Sequence, residues 1–180
     1  MIRYNKDHDK SHIFGYLREV SSLRYTNSHL EDWIEQLYRE INITKPHEIN
    51  FDRIAQALDI LIVYNPETSF ALRFNGMYTI SLDSRKTRQE QWLDFAHEVC
   101  HDFRHMNDDK IMPASWKRYL EYQANYFAYH FCIPTFMLRA MDIPRNLYDA
   151  VQVIADAFKV PESFAMTRIN MYFNKKRLII

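Results

Sequence analysis

The chain has 180 residues, 47% of them hydrophobic and 15% aromatic, which is enough to fill the core of one domain with a small appended piece and too much for a disordered chain. Its 23 basic and 23 acidic residues cancel, so no global charge draws it toward nucleic acid or an anionic membrane. No run approaches the roughly 18 apolar residues of a membrane span, residues 1–8 lack the apolar core of a signal peptide, and Cys100 and Cys132 form no disulfide framework; a cytoplasmic protein with two reduced, buried thiols is expected.

Residues 1–25 resist assignment, apart from a short helical pattern over 13–23. The first clear helix is 28–41. Ser28 and Glu31 form the Ser-x-x-Glu capping pattern, and Leu30, Trp33, Ile34, Leu37, Tyr38 and Ile41 recur as one apolar stripe that core packing explains. Pro46 suits a helix start, and a helix over 46–58 would bury Ile49, Ile54 and Leu58. Residues 61–64 read as a short buried strand broken by Asn65-Pro66.

Two β-rich runs then flank Asn75-Gly76, the strongest local hairpin signal. Gly76 is one of only two glycines, with Gly15, a scarcity that excludes glycine-rich phosphate loops and dinucleotide fingerprints. The second run alternates Met77, Thr79 and Ser81 with Tyr78, Ile80 and Leu82. Such a strand beside a metal site could pair with an extended peptide substrate at its edge, or it could be an ordinary half-buried edge strand.

A helix over 87–105 follows, with Thr87 and Glu90 repeating the capping pattern. It carries His97-Glu98-Val99-Cys100-His101. Four residues of helix turn a side chain by about 400°, so the two imidazoles stack on one face about 6 Å apart along the axis and can reach one zinc ion. Glu98 lies to the side, where it can serve water as general base. Cys100, offset about 300° from His97, converges less well. His105 falls one further turn along. It is expected to hydrogen-bond a ligand rather than bind the metal, because three ligands from one straight helix rarely converge.

The next helix, 114–132, ends before Pro134 and contains Glu121-Tyr-Gln-Ala-Asn125-Tyr-Phe-Ala128. Glu121 follows His101 by 20 residues, far enough for a loop and a second helix to turn back. Two histidines from one helix and a glutamate from the next make a His₂Glu zinc site with water in the fourth position. The alternative, that Glu121 is a solvated helix residue, fits poorly with its aromatic and small neighbours. Asn125, one turn on, can hydrogen-bond a ligating histidine. The sequence leaves Tyr78, His105, Tyr122 and Tyr126 open as donors to an oxyanion. Asn146 can cap a helix to Lys159, and Pro161 opens a last one with Phe164, Ala165, Ile169 and Tyr172. This pair could be mistaken for a helix-turn-helix. Its few basic residues argue against nucleic-acid binding, and packing against the catalytic core is the expected role.

Together these residues resemble the ImmA/IrrE family of zinc metallopeptidases. The match lies in His97-Glu-Val-Cys-His101 with His105, Glu121-x-x-Ala124-Asn125-x-Phe127-Ala128, Ile133-Pro134 and Ile154-Ala-x-x-Phe-x-Val-Pro, over about 45–172. Cys100 replaces the family's usual small residue before the second histidine, and Gln123 its frequent second acid, leaving Glu121 as the acid for the ligand role. The resemblance implies an α+β fold: a mostly helical, gluzincin-like metallopeptidase core with a small antiparallel hairpin packed on the active-site helices. Residues 1–44 would be a helical extension and 45–180 the metallopeptidase domain. It further implies Zn²⁺ as cofactor and selective cytosolic proteolysis of a protein partner. Compact members of prophages and mobile elements look like antirepressors that cleave a helix-turn-helix repressor. The competing function is a metal-containing regulatory protein that binds a repressor or DNA without cutting. The intact Glu98 argues against it, since a structural metal site needs no base.

Overall fold

The computed structural model describes residues 25–74, 76–104 and 113–177. The chain divides into two compact units, 27–168 and 1–26 with 169–180. The expected helix at 13–23 and His105 lie outside the described residues.

Helix α1 (His29–Glu40) opens with the predicted capping box. The Ser28 backbone N–H and hydroxyl both donate to Glu31 Oε2, at 2.7 and 2.9 Å. Glu31 does more than cap: its Oε1 accepts the Thr135 hydroxyl at 2.6 Å, and the carboxylate is buried. The apolar stripe turns Leu30, Ile34 and Tyr38 inward, and the Tyr38 hydroxyl donates to the Phe131 carbonyl at 2.9 Å.

The helix expected over 46–58 is broken in two. A 3₁₀ turn (Pro46–Glu48) comes first, then α2 (Phe51–Ala57). Two caps compete for this stretch. Glu48 turns back to accept from the Thr44 and Lys45 N–H groups, while Asn50 Oδ1 accepts from the N–H groups of Asp52 and Arg53 and starts a fresh helix.

Strands β1 (Ile60–Asn65), β2 (Phe70–Phe74) and β3 (Met77–Asp83) form one sheet in the order β1-β3-β2. β2 and β3 are the predicted antiparallel hairpin, with Gly76 at φ +82°, where only glycine sits without strain. β1 adds to β3 in parallel, so the sheet is mixed rather than wholly antiparallel. This corrects the edge-strand expectation for residues 77–82: β3 is central and paired on both sides. Thr79 and Ser81 are buried because register sets them between Leu61 and Val63 on one neighbour and Leu72 and Phe70 on the other. Among the described residues the edges of the sheet are β1 and β2.

Helices α3 (Arg88–Arg104) and α4 (Ala114–Cys132) carry the two motifs. They run antiparallel: Cys132 Sγ reaches the Trp92 carbonyl and Cys100 Sγ the Gln123 carbonyl, each at 4.0 Å. Trp92, Phe95, Ala96, Val99 and Cys100 are buried on α3, and Ala124, Phe127, Ala128 and Phe131 on α4, so the pair is anchored through opposite stripes. Both cysteines are free and buried. Helix α5 (Thr135–Ala140) follows Pro134, and α6 (Leu147–Phe158) is capped by Asn146 as predicted. The first turns of α7 (Glu162–Arg177) return to α4 and α5. There the fully buried Arg168 donates from Nε to the Ile133 carbonyl at 3.2 Å and from a terminal nitrogen to Thr135 Oγ1 at 2.6 Å. In the other unit Tyr25 stacks on Tyr172, with ring centroids 5.1 Å apart.

Candidate metal centre

The antiparallel pairing of α3 and α4 brings the two motifs face to face. His97 and His101 stand one turn apart on α3, and Glu121 enters from α4. His97 Nε2 lies 3.0 Å from His101 Nε2 and 3.2 Å from Glu121 Oε2, and His101 Nε2 lies 3.6 Å from Glu121 Oε1. One donor atom from each residue falls within 4.8 Å of the others. Donors held about 2.0–2.1 Å from a tetrahedral zinc stand about 3.3 Å from one another. The spacing therefore fits such an ion without rearrangement.

Hydrogen bonding points the same way. Asn125, one turn beyond Glu121, presents Oδ1 at 3.2 Å from His97 Nδ1. An amide oxygen only accepts, so this contact uses an Nδ1 proton and selects the tautomer whose Nε2 offers a lone pair. That lone pair faces a carboxylate oxygen and a second imidazole nitrogen, an arrangement that calls for a cation between them. Glu121, with 58% of its side chain exposed, projects into the opening rather than into the core.

Glu98 lies on the cleft side of α3. Burial, the Glu121 carboxylate and that of Asp94 raise its carboxyl from 4.5 to about 7, while the Ala71 N–H and the Lys86 charge pull the other way. Ala71 belongs to β2, so the edge strand spends one outward N–H on Glu98. Asp94, one turn before Glu98, accepts from the Ser69 hydroxyl and pairs with Lys86 at 2.7 Å. Ser69 Oγ in turn accepts from the Asp83 N–H at 3.0 Å, which clasps the start of β2 to the sheet and to α3.

These groups line one cleft of about 750 Å³. It holds His97, Glu98, His101, Glu121 and Asn125 together. Cys100 is fully buried and does not line the cleft, its Sγ turned to the Gln123 carbonyl, and the Gln123 side chain donates to the Tyr119 hydroxyl. Tyr78, Tyr122 and Tyr126, read as oxyanion donors, are not among its walls; Tyr78 instead donates to the Glu98 carbonyl at 2.6 Å. Sequence reasoning missed Ser69, Lys86, Leu93, Asp94, Tyr129 and Phe164, which also line the cleft. Leu93, Asp94 and Tyr129 had a signal, since each lies four residues from His97, Glu98 or Asn125 on the same helix face. Ser69 and Phe164 had none.

Among the described residues, no helix is long and apolar enough to cross a membrane. Two proteins of Bacillus subtilis (strain 168) resemble the chain. YqaB is 58% identical over 153 residues, covering 85% of this chain and 89% of that protein. The phage-like element PBSX protein XkdA is 41% identical over 149 residues, covering 83% and 75%. Residues 55–170 match the IrrE N-terminal-like domain of the M78 peptidases, and the chain belongs to this ImmA/IrrE family, whose function is of the metallopeptidase type.

Proposed function

We propose that the protein is a zinc-dependent, site-specific endopeptidase whose substrate is a helix-turn-helix repressor of a prophage or mobile element. The observation that carries the reading is the convergence of His97, His101 and Glu121 beside Glu98 in a single cleft. His97, His101 and Glu121 would hold the zinc, which when bound supplies Lewis acidity toward a peptide carbonyl and lowers the pKa of water. Asn125 fixes the His97 tautomer that leaves Nε2 free to ligate. Glu98 takes a proton from the attacking water and returns it to the leaving amine. The edge of β2 holds an extended substrate segment by backbone hydrogen bonds, in place of the β3 edge that sequence reasoning proposed.

The repressor substrate is supported by the resemblance and by the phage-like element named for one relative. A cytoplasmic location follows from that substrate. The test is to incubate the zinc-loaded protein with a repressor encoded beside it. Cleavage at one site, abolished by a chelator and by Glu98→Gln while Glu98→Gln still binds zinc, is the expected result. Equal cutting by Glu98→Gln sinks the mechanism, and repressor binding without cutting by the wild type sinks the peptidase.

A further inference from the structure

The sheet has a second edge, on the side away from the metal cleft. β1 pairs with β3 through an unbroken register from Ile60 to Asn65, and no strand among the described residues pairs with its other side. A strand paired on one side only leaves a row of N–H and C=O groups turned outward, and proteins blunt such an edge with charge, proline or a bulge. Ile60-Leu-Ile-Val-Tyr-Asn65 has none of these. β2, by contrast, carries Arg73 and spends the Ala71 N–H on Glu98.

A groove of about 360 Å³ lies between β1 and α2, and Ile60, Leu61 and Ile62 line it. Successive strand residues face opposite sides of a sheet, so a groove that touches three in a row runs along the edge itself. Met77 also lines it, on the same face of the sheet as Leu61, and the two are 49% and 44% exposed. Asp52 and Asp59 bring two carboxylates to the walls, and no cation lines them. Asp52 is matched by Arg88, whereas Asp59 makes no ion pair among the described residues. None of these groove residues lines the metal cleft.

We propose that the β1 edge is a docking site for an extended segment of another protein, apolar at alternate positions and bearing a lysine or arginine that meets Asp59. The segment adds to the sheet as a fourth strand. Main-chain hydrogen bonds to β1 hold it, and Leu61 and Met77 receive its apolar side chains. Charge selects this occupant over a second copy of the chain, because β1 carries no cation between Ile60 and Asn65 to answer Asp59. The added strand lies three strand spacings from β2, about 14 Å, so it leaves the metal cleft open.

Labelled hexapeptides titrated into the full chain, with fluorescence anisotropy as readout, test it. The first is lysine followed by alternating valine and threonine; the second has glutamate in place of lysine. Two more are the lysine peptide N-methylated at one or the other alternate set of amides. The lysine peptide is expected to bind at least about threefold tighter than the glutamate one. One N-methylated version should bind about tenfold more weakly or worse and the other should match the parent, because only one set of amides faces β1. Asp59→Asn, a residue that tolerates the φ of +56° at this position, should abolish the preference for lysine over glutamate. Leu61→Lys places a cation on an exposed position of the edge and should weaken the lysine peptide about fivefold or more. No binding of any peptide up to about 1 mM, equal binding of the two N-methylated versions, or an undiminished lysine preference in Asp59→Asn overturns the proposal. A dimer in sedimentation that Leu61→Lys dissolves gives the edge to a second copy and overturns it as well.

Discussion

Replacing Asn125 by alanine removes one hydrogen bond from the candidate metal centre and should lower zinc affinity without unfolding the chain. Asn125 is exposed, and its Oδ1 lies 3.2 Å from His97 Nδ1, the long end of the hydrogen-bond range. The bond has two effects. It orients the ring, and it holds the proton on Nδ1 so that Nε2 meets the cation. Loss of such a partner typically lowers metal affinity about 10–100-fold. The length of the bond and its neutral acceptor place this case near tenfold, about 1.4 kcal/mol. Asn125→Asp replaces the amide with a charged acceptor, roughly doubling the strength of the bond, and should bind zinc at least as tightly as the wild type. Competition against a chromophoric chelator measures all three proteins, and a thermal melt confirms that the alanine variant stays folded. Affinity of Asn125→Ala within twofold of wild type, or an aspartate variant as weak as the alanine one, would refute the tautomer argument.

Chelation should abolish cleavage yet leave the far-ultraviolet circular dichroism nearly unchanged, because α3 and α4 are held by buried apolar side chains, Trp92, Phe95 and Val99 on one and Phe127 and Phe131 on the other; unfolding on metal removal would mark a structural site instead. Arg168→Met leaves the buried Ile133 carbonyl without its donor and takes a partner from Thr135, and urea denaturation should show a loss of about 3 kcal/mol. Asp83 is held at about 2, below its usual 3.8, chiefly by the Arg85 side chain and then by the Arg85 N–H. Its contribution is therefore complete above pH 3.8 and is lost as pH falls through about 2. The gap in melting temperature between wild type and Asp83→Asn should accordingly shrink from pH 4 to pH 2, and a constant gap would contradict it.

What could be read from the sequence was whatever a local period encodes. The capping boxes at Ser28 and Thr87, the Asn146 cap and the Asn75-Gly76 turn all depend on residues within a few positions of one another, and helices and hairpin fall where those signals put them. The cluster of His97, His101 and Glu121 was readable because the helical repeat sets His97 beside His101 and the same repeat, on the facing helix, sets Glu121 one turn from Asn125. The parallel pairing of β1 with β3 was not, because nothing local distinguishes a strand that joins a sheet in parallel from one at a free edge. The break before α2 was missed for a related reason: a period of 3.6 runs through Ile49 and Ile54, and only the competition between the Glu48 and Asn50 caps decides that the helix restarts.

The same distinction bears on how the site is built. The cluster sits between two antiparallel helices held by buried apolar side chains, so a substitution among those can displace it without touching it. The other walls of the cleft come from elsewhere: β2 on one side, clasped by Ser69 between Asp83 and Asp94, and α7 on the other, tied down by Arg168. Neither wall is encoded by the motif residues. On the proposed function, two chains of this family could therefore keep His97, Glu98, His101 and Glu121 and differ in what they accept, through residues such as Ser69 and Phe164 that no spacing rule marks. On the proposed function, selectivity would be carried by tertiary contacts and the chemistry by the helical repeat.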